Sequence, residues 1–264
     1  MGDALQRAEA GEAEVARRAL ALLDLTSLNE DDTEARIADM CRRATTPEGA
    51  VAAVCIYPRF VARARALLDG TGVRVATVVN FPSGTADAAA ARAEAESALA
   101  AGADEIDVVL PYEAYLAGDR EAALQVVDAC RAACGDGAVL KVILETGRLR
   151  DSDTIRAAAA DALARGADFV KTSTGKVPVG ATPEAARAML EAIRDAGGER
   201  GFKASGGVRT TDDATRYLAL ADEILGPEYA TPQRFRFGAS SLLDDLLATL
   251  GHGAGAGGAA RRGY

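Results

Sequence analysis

The sequence has one histidine, His252, and it lies in a Gly/Ala-rich stretch near the C-terminus. Serine–histidine and cysteine–histidine nucleophile pairs are therefore excluded from the rest of the chain. A zinc centre built on several imidazoles is excluded with them. Cysteines number four and show no Cys/His zinc spacing. Cys130 and Cys134 stand four apart on a predicted helix. That spacing reads first as two small buried residues and only second as half a metal site. No apolar run approaches the length of a membrane span. The first residues, MGDALQRAEAGEAEVARR, mix acids and bases and lack the apolar core of a signal peptide. A cytoplasmic chain with reduced cysteines is the expectation. Gly-x-Gly-x-x-Gly and Walker A patterns do not occur in the right setting. Positive charge is in deficit, with a net charge of −9. That balance argues against nucleic acid and anionic membrane as partners. It leaves room for an anionic small molecule held in a local basic pocket.

The rest of the chain alternates. Short β-branched runs occur at 21–28, 51–57, 73–80, 105–111, 139–145, 168–173, 201–207 and 235–241. Between them lie stretches of helical period, including 86–101, 119–134, 152–165, 183–196 and 211–221. Strand-like runs with helical spacers predict a parallel α/β fold. An open doubly wound sheet is one solution. Eight units, with polar residues repeated near the C-terminal ends of the strands, favour a closed (β/α)8 TIM barrel. A chain of 264 residues that is 49% hydrophobic suits a single domain of this kind. The barrel is expected over 1–250, with an amphipathic N-terminal helix and a flexible Gly-rich tail over 251–264. The first unit is the least distinct, because ARRALALLD can run on as helix. Thr182 before Pro183 reads as a helix N-cap.

Strands buried on both faces should be unbroken Val/Ile/Leu runs. Several here carry a charge: Asp24, Asp107, Lys141, Glu145, Lys171 and Lys203. An isolated buried charge is costly unless paired. Charges on successive strands imply a shared polar interior. Lys171 and Lys203 fall on consecutive strands, roughly 5 Å apart. Two ammonium groups that close disfavour each other's charge, so one of the two is expected to have a lowered pKa and be partly neutral near pH 7. A neutral buried amine is what attack on a carbonyl requires. A purely structural ion network is the competing reading.

Small and hydroxyl residues follow the last three strands: TGK at 174–176, SGGV at 205–208 and GASS at 238–241. Glycine lets backbone approach a ligand, and N–H groups at helix starts bind anions. Barrels of this type commonly hold phosphate with the loops after strands 7 and 8. Lysine imine chemistry on a phosphorylated carbonyl compound is what remains.

Nearly the whole chain resembles the deoxyribose-phosphate aldolase family of class I, imine-forming aldolases. The carriers are LDLTSLNEDDT, VCIYPRFV, VVNFPSG, GADEIDVVLPY, LKVILETG, GADFVKTSTGKVPVGATPE, GFKASGGVRT and RFGASSLL. The resemblance implies reversible cleavage of 2-deoxy-D-ribose 5-phosphate to D-glyceraldehyde 3-phosphate and acetaldehyde, with no metal and no organic cofactor. It implies Lys171 as the Schiff-base lysine, with Lys203 and Asp107 as proton donors and acceptors. Asp24 and Lys141 match supporting positions, and Cys55 a cysteine beside the substrate channel. Thr174, Gly175, Lys176, Gly206, Gly207, Val208, Gly238, Ser240 and Ser241 match the phosphate cradle. Tyr264 matches a terminal tyrosine that reaches into the site in some bacterial relatives. Ser83 stands where a bacterial relative has histidine, and ASGG follows strand 7 where some members have PAGG. A monomer or homodimer is implied. Two other functions stay open: a lysine aldolase for another sugar phosphate, and a non-enzymatic sugar-phosphate-binding barrel.

Overall fold

The computed structural model describes residues 2–252. The expected tail beyond 252, Tyr264 included, lies outside the described residues. Eight parallel strands close into a barrel: β1 (Leu23–Ser27), β2 (Ala53–Ile56), β3 (Arg74–Val79), β4 (Glu105–Val109), β5 (Val139–Ile143), β6 (Phe169–Lys171), β7 (Gly201–Ser205) and β8 (Phe235–Ala239). β1 pairs with both β2 and β8, which closes the ring. The open-sheet alternative is therefore set aside, and each predicted run contains one strand.

Helix α1 (Gly2–Ala21) precedes the barrel and stops one residue before β1. The longer helices between strands are α2 (Glu34–Arg43), α3 (Val61–Leu67), α4 (Ala88–Ala100), α5 (Arg120–Cys134), α6 (Ser152–Ala164), α7 (Pro183–Asp195) and α8 (Thr211–Leu225), with short helical turns at Tyr112–Leu116 and Thr146–Leu149 after β4 and β5. After β8 comes α9 (Leu242–Thr249). Apart from α3 and α9, the longer helices that follow strands start on side-chain caps. The Asp119 carboxylate accepts from Ala122 N, Asp151 from Thr154 N and Thr182 Oγ1 from Ala185 N. Such caps each contribute about 1 kcal/mol. Thr210 and Asp213 form a reciprocal capping box at α8.

Strand alternation sorts the barrel into two layers. Leu23, Leu25, Leu140, Val142, Val170, Phe202 and Phe237 belong to the main apolar core. The opposite set faces the barrel axis and is divided. β2 and β3 contribute Ala53, Cys55, Ala76 and Val78, a small separate apolar cluster with Leu28. The remaining strands contribute charge. The interior is thus apolar along one wall and ionic along the rest, with the apolar wall made of small side chains.

Candidate active site

Register brings the charges together. Asp107 pairs with Lys141 across β4 and β5, and Lys171 with Lys203 across β6 and β7. Arg236 on β8 lies opposite Lys203, and Asp24 on β1 opposite Gly238. Asp24, Glu105, Asp107, Lys141 and Lys203 have no exposed surface, while Lys171 and Arg236 have 1% and 3%.

Each ion has a partner. Lys171 Nζ lies 2.9 Å from Asp107 Oδ2. Lys203 Nζ donates to the same oxygen at 2.8 Å and to Asp24 Oδ2 at 2.5 Å. Lys141 Nζ lies 2.8 Å from Asp107 Oδ1 and 2.5 Å from Glu105 Oε2. Arg236 bridges Asp24 Oδ1 at 2.5 Å and Glu105 Oε1 at 2.8 Å. Three carboxylates therefore face four cations, and Lys171 has the thinnest pairing, one carboxylate oxygen. Glu145, a buried acid just past the end of β5, bonds Thr174 instead of any of these cations.

These contacts decide the electrostatics. Burial pushes Asp107 up, but Lys141, Lys171 and Lys203 outweigh it and hold the carboxyl well below its usual range. Asp24 is held low in the same way, against its burial, by Lys203, Arg236 and Lys141. Burial pushes Lys203 down, yet the Asp107 and Asp24 carboxylates hold it above the ordinary lysine range. Lys203 is therefore not a lysine of lowered pKa: the two carboxylates more than offset its burial. Burial raises the carboxyl of Glu145, with the Thr174 contacts pulling the other way. Burial raises the Cys55 thiol, and its Sγ is 3.9 Å from Asp107 Oδ2.

Above the ions is a cleft of about 250 Å³ at the C-terminal ends of β1, β6, β7 and β8. Its lining includes Thr174, Gly175, Lys176, Gly206, Gly207, Val208, Gly238, Ser240 and Ser241. All the residues matched to a phosphate cradle thus converge on one place. Gly206 and Gly207 take φ +85° and +89°, the left-handed region that favours glycine. Lys176 Nζ donates to Leu28 O at 2.6 Å, across the mouth from β6 to the end of β1. The sequence reading missed Glu105 and Arg236 in the ion network. It also missed Thr26, Ser27, Asn29 and Arg209 in the cleft. Arg236 stands in FRFGASS and Glu105 opens EIDVVLP, so strand alternation from Gly238 and Asp107 points at both.

Cys130 and Cys134 are buried in α5, and burial raises their thiols to about 12 and about 11. No cluster of metal-ligating side chains occurs among the described residues. His252, expected in the flexible tail, instead follows α9 with Nε2 2.8 Å from Glu48 Oε1. Glu48 lies in a two-stranded hairpin (Thr45–Thr46 and Gly49–Ala50) that precedes β2, at the barrel end opposite the cleft. No described helix is long and apolar enough to cross a membrane.

Residues 18–248 match the DeoC/LacD family of aldolases. The chain belongs to that family. A provisionally named deoxyribose-phosphate aldolase from Coccidioides immitis is 33% identical, with a TM-score of 0.78, covering 89% of this chain and 87% of its own. Another provisionally so named, from Toxoplasma gondii ME49, is 27% identical with a TM-score of 0.85, covering 93% and 99%. A deoxyribose phosphate aldolase from Aeropyrum pernix, described as tetrameric, is 29% identical with a TM-score of 0.72, covering 91% and 92%. The (β/α)8 barrel and an aldolase activity on a small molecule follow for this family member. Its ionic core lies beneath a cleft formed by the strand C-terminal ends, where barrels of this class place their chemistry.

Proposed function

We propose that this aldolase reversibly cleaves 2-deoxy-D-ribose 5-phosphate to D-glyceraldehyde 3-phosphate and acetaldehyde through an imine on Lys171. The observation that carries this reading is the pair Lys171 and Lys203, in register and both on Asp107 Oδ2. Among the directly bonded buried groups of the cluster, cations outnumber carboxylates by one. Lys171, with the fewest carboxylate contacts, is the amine assigned to the nucleophile.

Lys171 Nζ adds to C1 of the open-chain sugar, and loss of water gives a protonated imine. Asp107 balances that positive charge as it balances the ammonium. Removal of the C3 hydroxyl proton then breaks the C2–C3 bond, with the electron pair passing into the imine to form an enamine. Glyceraldehyde 3-phosphate leaves. The enamine is protonated at the former C2, and water releases acetaldehyde. Lys203, held protonated, suits the role of proton donor. Asp107, held ionised among three ammonium groups, suits orienting a water that carries the proton. Lys176 with the Gly206–Gly207 and Ser240–Ser241 loops would receive the phosphate. The small wall of Ala53, Cys55, Ala76 and Val78 would receive the acetaldehyde carbons. The same reading assigns the enzyme to the breakdown of deoxyribonucleoside sugars in the cytoplasm.

Borohydride trapping tests this. The protein is incubated with deoxyribose 5-phosphate, reduced with borohydride and mapped by mass spectrometry. An adduct on Lys171 that requires substrate is the expected result. A folded protein with no adduct on any lysine would remove the imine mechanism and leave a sugar-phosphate binder.

A further inference from the structure

Among the described residues only two buried side-chain polar atoms lack a hydrogen-bond partner, Thr146 Oγ1 and Ser173 Oγ. A buried hydroxyl left unpaired costs about 1–3 kcal/mol, and such a group is uncommon enough to need an explanation. Ser173 is placed where an explanation is available. It follows Lys171 by two residues, and the ladder to the neighbouring strands continues through Thr172. Alternation therefore puts Ser173 on the same inner wall as Lys171, one step nearer the mouth. Ser205 stands in the same relation to Lys203 and already lines the cleft. On its other side Ser173 meets the cradle: a Cβ on Gly206 would lie 3.7 Å from the Ser173 Cβ. Ser173 is fully covered, as Lys203 is, and Lys171 is nearly so. The next residue, Thr174, lines the cleft, so along this strand Ser173 stands between Lys171 and the mouth.

We propose that Ser173 is a specificity-determining residue whose hydroxyl pairs with the substrate hydroxyl lying between the imine carbon and the phosphate. The proposal rests on the reading of the function given above. In that substrate the chain runs from C1 at Lys171 to the phosphate on C5 at the cradle. The C3 hydroxyl gives up its proton in the cleavage and belongs to Asp107, Lys203 and their water. The C4 hydroxyl takes no part in the bond changes and needs a fixed partner. Ser173 lies between the two ends and has donor and acceptor capacity unused. The hydroxyl is thus held unpaired until substrate arrives, a local cost retained for recognition. A site built to pair a substrate hydroxyl discriminates strongly against the analogue that lacks it.

The test measures kcat/KM for adding acetaldehyde to two acceptors. One is D-glyceraldehyde 3-phosphate. The other is 3-oxopropyl phosphate, the same chain without the hydroxyl. In Ser173→Ala the first value should fall about tenfold or more, with a loss at least fivefold smaller for the second. Thermal melting should not move down, because the change removes an unpaired polar group. Ser173→Cys, which keeps most of the volume and only a weak donor, should show the same loss of discrimination. Equal losses on both acceptors, or no loss on either, would overturn the role. A lowered melting temperature with equal losses would make Ser173 a packing residue. Failure of the unmodified enzyme to use either acceptor would overturn the substrate reading itself, and the Ser173 role with it.

Discussion

The excess of cations over carboxylates makes the lysines of the barrel unequal, and stability measurements can show it. Lys171→Met leaves Asp107 still bonded to Lys141 and Lys203, and it brings cations and carboxylates into balance. Its melting temperature should equal or exceed that of the parent, while the trapped adduct and turnover are lost. Lys141→Met is the opposite case. It removes a charge shared by Glu105 and Asp107 and should destabilise the fold by about 3–5 kcal/mol, the usual cost of stranding a buried charge. Denaturant titration of the two variants side by side checks this. A larger loss for Lys171→Met than for Lys141→Met would mean that the cluster is a structural network first. The charged positions themselves were legible in the sequence, since each interrupts a run that should be apolar. Their electrostatic outcome was not. Lys203 is held protonated by Asp24, 179 positions away, and no local pattern announces that contact.

At the scale of the elements, the glycines of the cleft divide into two kinds. A Cβ on Gly238 would lie 2.7 Å from Ser205 Oγ and 2.9 Å from Lys203 Cε. Gly238→Ala must therefore displace the end of Lys203. Since a shift of an ångström at a reacting group costs about 100-fold, kcat should drop by roughly that factor. Gly207 has open space around its missing Cβ and differs only in its φ of +89°. Gly207→Ala should cost about 1–2 kcal/mol of stability from the left-handed backbone and much less in kcat. Steady-state kinetics with a melting curve on each variant separates the two; equal kcat losses would contradict the assignment of Lys203. The β/α alternation was readable because every barrel strand is short, apolar and bounded by a helix. Of the labelled helices, α2, α3 and α9 went unmarked. α3 has seven residues and begins after a turn of 3₁₀ helix at Pro58–Phe60, too short for a period to show. α2 carries Ile37, Met40 and Cys41 on one face, a helical spacing hidden among charges. α9, directly after GASS, was absorbed into the loop reading.

For the whole molecule the ionic core sets a stability window in pH. Asp24 and Asp107 have folded-state pKa values below those of the unfolded chain. Their stabilisation is complete above the unfolded carboxylate value of about 4 and is lost as pH falls below it, where the unfolded chain takes up protons that the fold refuses. Lys203 and Lys141 are raised. Their contribution is complete below about 10.4 and is lost as pH climbs through their folded values. Glu145 acts against the two aspartates, because burial raises its carboxyl and its charged form weakens the fold at neutral pH. The result is a plateau between roughly pH 5 and 9 with an acid limb governed by Asp24 and Asp107. Asp24→Asn tests the cause of that limb. It leaves Lys203 and Arg236 each short of one carboxylate and should lower stability at pH 7 by roughly 3 kcal/mol or more. Because the variant no longer has that proton to refuse, the gap to the parent should narrow as pH falls from about 5 to 3. Urea unfolding at pH 7, 5 and 4 reads both quantities. A gap that stays constant through the acid range would show that Asp24 supports the barrel by shape and hydrogen bonding, with its charge contributing nothing. In that event the acid limb would have to come from Asp107 alone, the one carboxylate that the proposed reaction cannot do without.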